Sequence, residues 1–492
     1  MKAPWWLVVL AACGQAPSEA PRAADIITPP APGSLPNIIL LMSDDQGYGD
    51  IGYQGNDVVR TPVLDRMSRE GLCFSRFYAA PLCGPTRATC ITGRHPDRFG
   101  IVDSNSARLP PGEHTLAELL RDRGYTTGHF GKWHLGTLTR TRPDSRRGGP
   151  RGAEYYSPPW ENGFDVCFST EAKVPTWDPM IMPRHSEATI WWDAVEDPSQ
   201  AMPFHTDNEP AVAYWNERGE VVTDDLEGDD SRVIMDRVLP FVDAAAQAGR
   251  PFLAVVWFHA PHKPVVAGPE YAKLYADLEP FRKEYYGAIT AMDEQIGRLR
   301  EHLRAKGIER DTLVWFCSDN GPFGKESTHP GSTGGLRGRK GDLGEGGIRV
   351  PAILEWPGHV AARQTAVPAS TLDFLPTLLE LTGTAAPTDK ELDGLSIVPL
   401  IEGTWDERPE PIPFESGPYL AYVDNRYKIL STDSGKSFAL YDVGGGDPGE
   451  RSDLSSSDSE HAAQTARYAE RLLAWRDRVR ADFRALLAGA KH

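Results

Sequence analysis

Two polar pairs stand far apart in this chain, each at the end of an apolar run: Asp44 and Asp45 close NIILLMSDDQG, and Asp319 and Asn320 close TLVWFCSDNG. Brought together they would offer only oxygen ligands, a set that suits a hard divalent cation, calcium or magnesium. Either pair alone is also an ordinary turn, because aspartate and asparagine close turns after strands. Cationic residues occupy comparable places. Lys132 and His134 lie two apart in GKWHLG, a spacing that in an extended segment sends both side chains to one face and sets an ammonium beside a proton carrier. His262 follows a third apolar run in HAPHKP, where His259 reads as its structural neighbour and not as a catalyst. Lys340 lies in the glycine-rich LRGRKGDLGEGGIRVP, a setting in which a lysine is ordinarily solvated. Arg87 follows Cys83 by four residues. If the residues after Pro85 begin a helix, that step returns nearly to the face of Cys83, and the helix start adds aligned N–H groups that favour an anion.

Positioning these groups requires strands that end where the polar residues begin. Apolar runs at residues 37–47, 125–136, 252–262 and 312–321 read as strands. Helix-period segments lie between them, including HTLAELLRDRG at 114–124 and a segment opened by Asp229, Asp230 and Ser231 as candidate caps. Fully apolar strands alternating with helices predict an α/β fold with a mainly parallel sheet covered on both faces. In such sheets ligands bind beyond the carboxyl ends of the strands, where every polar cluster above falls.

At 492 residues and a net charge of −17 the chain is long enough for a large domain and a small one, and too acidic overall to suggest a nucleic-acid partner. WWLVVLAA at residues 5–12 is too short to span a bilayer and reads as an export signal. Its end, Leu10-Ala11-Ala12-Cys13, resembles a bacterial lipobox, so Cys13 is expected to carry lipid, with a plain signal peptide as the alternative. Residues 14–36, rich in proline, alanine and serine, read as a tether. The expected location is the periplasm or cell surface, with membrane contact only through that anchor. Cys73, Cys90, Cys167 and Cys317 are expected to be mostly free, buried thiols, and no spacing of cysteine and histidine suggests zinc.

The stretch CGPTRATCITGR at residues 83–94 resembles the site at which sulfatases convert a cysteine to formylglycine. The family pattern is cysteine, any residue, proline, serine or another small residue, then arginine, with Thr-Gly-Arg downstream. Cys83, Pro85, Thr86, Arg87 and Thr92-Gly93-Arg94 fill it, with Thr86 where serine is commoner. Five residues recur by chance, but the resemblance runs from residue 37 to about residue 400. It implies a type I, formylglycine-dependent, arylsulfatase-like sulfatase with an alkaline-phosphatase-like fold. By that resemblance, Asp44, Asp45, Asp319, Asn320 and the modified Cys83 bind calcium or magnesium, and Arg87 holds the formylglycine oxygen. Lys132 and Lys340 grip the sulfate, His134 assists sulfate release, and His262 contacts the leaving oxygen. A formylglycine-generating enzyme is the implied maturation partner.

The chemistry explains the modification. A thiolate is a soft ligand, poorly matched to a hard cation. A hydrated aldehyde offers one hydroxyl to the metal as nucleophile, and its second hydroxyl, once deprotonated, expels sulfate from the covalent hemiester. Fixed positive charge lowers both the repulsion of the incoming anion and the cost of the departing alkoxide.

The expected organisation is a signal with lipobox at residues 1–13, a linker at 14–36, a catalytic domain at 37–404 and a subdomain at 405–492. In the last, YVDNRYKILSTD and SFALYDV read as strands of an antiparallel sheet, packed with a helix over 461–487. FSTEAKVPTWDPM at 168–180 is similar to bacterial enzymes that desulfate polysaccharides, so a sulfated carbohydrate is the expected substrate, with a smaller sulfate ester also compatible. Trp191 and Trp192 are equally candidates for core or for sugar stacking. The rival readings are a phosphonate or phosphate ester hydrolase of the same superfamily, and a non-catalytic sulfoglycan-binding protein should Cys83 remain a thiol.

Overall fold

A central row of parallel strands carries the molecule. The computed structural model describes residues 35–103, 108–145, 148–185, 192–193, 202–204 and 212–489. The expected signal with Cys13, most of the tether, and Trp191 lie outside the described residues. We label the central strands β1 (Asn37–Ser43), β2 (Thr126–Lys132), β3 (Val166–Thr170), β4 (Phe252–Trp257) and β5 (Thr312–Ser318). Their order across the sheet is β5-β1-β4-β2-β3, all parallel. Antiparallel pairing enters at the flanks, where Arg349–Glu355 lies against β5 and Tyr214–Asn216 against β3.

Both faces of this sheet are covered, which is why its strands are continuously apolar. Ile38, Leu40 and Met42 of β1 join Leu253, Val255 and Trp257 of β4 in one core. Ile39, Leu41, Ala254 and Val256 join the other, with helices α2 (Asp230–Gln247) and α3 (Pro280–Ala305). At about 25 cal/mol per Å² of apolar area, double-sided burial of each strand residue is the dominant favourable term. Asp229 is the cap of α2, its side chain accepting from the Arg232 N–H. The 114–124 segment forms a helix over Leu116–Asp122, capped reciprocally by Thr115 and Glu118.

A separate four-stranded antiparallel sheet follows: Ile412–Ser416, Tyr419–Val423, Lys428–Ser431 and Ala439–Tyr441. Its first strand escaped the sequence reading, because Pro413 and Glu415 interrupt the apolar alternation, and YVDNRYKILSTD, read as one strand, holds the end of Tyr419–Val423, a turn and Lys428–Ser431. The long helix Ser459–Gly489 packs on it through Tyr468, Leu472, Trp475 and Val479, a helical spacing. Its far end reaches the large domain, where Asp482 accepts from Arg98 at 2.6 Å and from Arg94 at 3.1 Å. Cys73, Cys83, Cys90, Cys167 and Cys317 are all free and buried. No helix among the described residues is long and apolar enough to cross a membrane.

The junction with the C-terminal helix contains a buried histidine with a predictable acid response. His95 stands edge-on to Trp475 at 4.8 Å, and its Nδ1 accepts from the Asp97 N–H. Burial pushes its pKa down to about 4, so the folded state favours the neutral ring. With the folded value depressed, its contribution is present above the unfolded value of about 6.5 and lost as pH falls toward 4, amounting to about 3 kcal/mol at most. Urea unfolding of the parent and of His95→Gln should therefore diverge in pH dependence between those limits. Parallel profiles would show that His95 does not titrate with folding.

Candidate active site

Strand order explains how distant residues meet. In the β1–β5 ladder Ser43 pairs with Ser318, so the next residues, Asp44 and Asp319, leave adjacent strands side by side. β4 and β2 lie next in the row, delivering His259 and His262 after one and Lys132 and His134 at the other's end. Asp45 has φ 63, a left-handed turn that points its N–H at Asp319 Oδ1, 3.0 Å away. Asn320 Nδ2 donates to Asp45 Oδ1 at 2.7 Å. The buried oxygens Asp44 Oδ1, Asp45 Oδ2 and Asn320 Oδ1 accept no hydrogen bond among the described residues. Unsatisfied buried acceptors of this kind call for a ligand. Asp44, Cys83 and Asp319 present ligand atoms within 4.8 Å of one another, as do Asp44, Asp45 and His262. The donors therefore fit a hard divalent cation held by Asp44, Asp45, Asp319 and Asn320.

Charge says the same. Burial raises the Asp319 carboxyl, and the negative charge of Asp44 adds to that effect, leaving it at about 7. Burial would also raise Asp44, but the Lys132 ammonium and the other cations around it outweigh this and hold it well below the usual carboxylate range. A divalent cation among these carboxylates would keep all of them ionised at neutral pH.

Cys83 opens helix α1 (Cys83–Thr92), every residue of which is buried. Its Sγ lies 3.3 Å from His134 Nδ1. Thr86 Oγ1 donates to the Asp319 carbonyl at 2.6 Å, tying the helix to the end of β5. That role needs only a hydroxyl, which is why threonine serves where serine is commoner. Arg87 is fully buried over the Trp257 ring at 5.0 Å. Its Nη2 donates to Asp44 Oδ2 at 3.0 Å and Asp319 Oδ2 at 3.1 Å, and its Nη1 to the Lys132 carbonyl at 2.7 Å. Its described hydrogen bonds thus run to the two carboxylates and the Lys132 carbonyl, with the Cys83 side chain near enough to act on its charge.

Lys132 Nζ donates to Asp44 Oδ2 at 2.6 Å, and Lys340 Nζ to Asp45 Oδ1 at 2.5 Å. The strand ends at Lys132, and His134 has φ 58, so a left-handed turn rather than strand alternation aims His134 at Cys83. His262 Nδ1 faces the Lys263 carbonyl at 2.6 Å, which can only accept, so Nδ1 carries the proton and Nε2 faces Asp45 Oδ2 at 3.7 Å. Burial and the Lys132 ammonium push the His262 pKa well below the usual histidine value. His259 is held between Thr170 Oγ1 at 2.7 Å and Asp230 Oδ2 at 2.8 Å, a structural position behind the site.

Sequence reading missed the supports. Tyr285, inside α3, donates to Asp50 Oδ2 at 2.7 Å, and its hydroxyl also lies 3.2 Å from the Asp45 carbonyl. Asp50 in turn accepts from the Gly47 and Ser332 N–H groups, joining the metal-candidate loop to the glycine-rich loop before Lys340. The only signal was a further aspartate in the glycine-rich DDQGYGD. Lys263 and Phe323 line a narrow crevice beside Asp45, with Lys263 Nζ 4.2 Å from the ring centre.

The family model described as Sulfatase matches residues 36–384. N-acetylgalactosamine-6-sulfatase of Mus musculus is 32% identical over 421 residues, spanning 82% of this chain and 71% of that protein. Arylsulfatase A of Homo sapiens is 33% identical over 408 residues, spanning 82% and 74%. Among solved structures, Ps i-CgsB in complex with k-i-k-neocarrahexaose superposes with a TM-score of 0.73 at 27% identity over 89% of this chain and 92% of that one. Phosphonate monoester hydrolase of Agrobacterium radiobacter, at TM-score 0.61 and 21% identity over 90% and 96%, shares the fold.

Proposed function

The chain belongs to the sulfatase family and is a sulfuric ester hydrolase, and from that premise we propose that its nucleophile is a formylglycine made from Cys83, working beside a divalent cation on a sulfated carbohydrate. The observation that carries this reading is Cys83 at a helix start, beside His134, with its Sγ and carboxylate oxygens of Asp44 and Asp319 all within 4.8 Å of one another. The hydrated aldehyde and cation would supply an oxygen nucleophile at neutral pH.

The residues present do the rest. Arg87, Lys132 and Lys340 set three fixed positive charges around the place a sulfate must occupy, and the N–H groups opening α1 add to them. His134 Nδ1, beside the Cys83 side chain, is positioned to take a proton from it when sulfate departs. His262 Nε2 bears no proton in the unliganded site. The negative charge of an arriving sulfate ester raises its pKa, so that it becomes protonated as substrate binds and can then donate to the leaving oxygen.

That sequence predicts an asymmetry. His262→Ala should slow hydrolysis of a sulfated sugar by about 10²-fold or more, and that of 4-nitrophenyl sulfate much less, because a nitrophenolate needs little protonation. Equal losses on both would make His262 a sulfate binder and leave the acid role to another group such as Lys340.

A sulfated carbohydrate is supported by the neocarrahexaose named with one structural neighbour and by the name N-acetylgalactosamine-6-sulfatase carried by one relative. Export and lipid attachment at Cys13 remain part of the proposal, supported by residues 5–13. Parallel turnover of 4-nitrophenyl sulfate and of an aryl phosphonate tests the reaction class. The reading requires the sulfate to be the better substrate, and a preference for the phosphonate would overturn it.

A further inference from the structure

After Lys132 and His134 the chain stays buried through residue 139 and then surfaces at Arg140 and Arg142, both exposed. The same edge is built by residues 155–157, since Thr137 bridges to Tyr156 and its N–H donates to the Tyr155 carbonyl at 2.8 Å. The Arg140 guanidinium lies 4.1 Å from the centre of the Tyr156 ring, and that of Arg142 lies 5.4 Å from the Trp215 ring. Arg108 joins them, its Nη1 donating to the Tyr156 carbonyl at 2.9 Å. Arg108 and Arg140 thus meet at Tyr156, and Arg142 lies two residues further along the chain over the Trp215 ring.

Some surface arginines in this molecule are paired with carboxylates, and others, Arg60 over the Tyr275 ring among them, have no carboxylate at ion-pair distance among the described residues. Arg218 pairs with Glu220, Arg237 with Asp224, Arg426 with Asp442 and Arg471 with Glu410. Among the described residues Arg140 and Arg142 have no carboxylate at ion-pair distance. Asp144, two residues from Arg142, is buried, accepts from Trp215 Nε1 and lies close enough to feel the Arg142 charge, and Glu161 stands beside the Tyr156 hydroxyl. Arg140 and Arg142 nonetheless present two exposed positive charges in a chain of net charge −17. A guanidinium stacked on a ring is pre-oriented, and its planar fork matches two oxygens of a sulfate or carboxylate.

We propose that Arg108, Arg140 and Arg142 form a second anion subsite, which binds sulfate groups on the sugar chain flanking the ester under attack. The inference rests on the carbohydrate reading above. Arg140 follows His134 by six residues, so the two lie at most roughly 20 Å apart, within reach of a single oligosaccharide. The site would thereby favour a multiply sulfated polymer over an isolated sulfated sugar.

The test measures binding without turnover. Cys83→Ala protein is titrated with dextran sulfate and with dextran over a range of sodium chloride concentrations, with and without Arg140→Gln and Arg142→Gln together. The expected result is salt-dependent binding of dextran sulfate and none of dextran. The double substitution should weaken dextran sulfate binding by about tenfold or more and flatten the salt dependence, while the corresponding lysine pair should recover part of both. In the enzyme with Cys83 intact, the glutamine pair should lose about tenfold more kcat/KM on a sulfated polymer than on 4-nitrophenyl sulfate. Unchanged dextran sulfate binding in the glutamine pair would overturn the proposal. So would single-stranded DNA that binds as tightly and is weakened equally, which would make the face a generic polyanion contact. A protein inactive on 4-nitrophenyl sulfate would instead remove the sulfatase reading without touching the binding result.

Discussion

Cys83→Ala is expected to lower kcat on 4-nitrophenyl sulfate by about 10⁴-fold or more, the scale seen when a covalent nucleophile is removed. The fold should survive, because the Cys83 side chain is a small part of the wholly buried helix α1 and its loss costs about 1–2 kcal/mol. Cys83→Ser should be almost as damaging for a different reason. Serine has a single hydroxyl. It can accept sulfate, but it has no second hydroxyl whose deprotonation would expel it, so a sulfated protein should accumulate and mass spectrometry should detect it. A serine variant with sustained turnover would remove the aldehyde from the account.

Removing the divalent cation is expected to be the next most severe change, lowering the rate by about 10²–10³-fold or more, as loss of a principal charge-stabilising group does. Calcium or magnesium should restore the rate, and zinc should not be needed, because Asp44, Asp45, Asp319 and Asn320 offer only oxygen to the ion. Asp319→Ala should raise the calcium concentration required. Binding can also be followed without catalysis. Calcium at about 100 times its Kd should stabilise the protein by about 2.7 kcal/mol, and that gain should shrink in the Asp319 variant. Full activity in a preparation shown by elemental analysis to be metal-free would contradict the assignment of Asp44, Asp45, Asp319 and Asn320.

Much of the site was legible in the sequence because double-sided burial makes the strands continuous apolar runs, and the first polar residues after each run mark its carboxyl end. That is why Asp44, Asp319, Lys132 and His262 could be picked out without coordinates. Their convergence could not be read, since it depends on the β5-β1-β4-β2 neighbour order, a matter of pairing between distant segments. Local geometry was also hidden. Asp45 and His134 reach the site through left-handed turns that neither residue type announces, and strand alternation predicted the right direction for His134 by the wrong route. Tyr285 looked like one more core residue of an amphipathic helix, although its hydroxyl braces the loop that carries Asp45. Ile412–Ser416 failed to read as a strand because its proline and glutamate break the pattern that its neighbours keep.

The chemical state of Cys83 decides the mechanism, and a single tryptic peptide reports it. Trypsin cleaves after Arg76 and Arg87, so residues 77–87 form a single peptide containing Cys83. In protein purified from its native host, that peptide should be lighter by H₂S and heavier by one oxygen than the cysteine form, the difference between a thiol and an aldehyde at Cys83. Its aldehyde fraction should rise and fall with specific activity on 4-nitrophenyl sulfate across preparations. A fully active preparation whose peptide carries only the unmodified thiol would contradict the account.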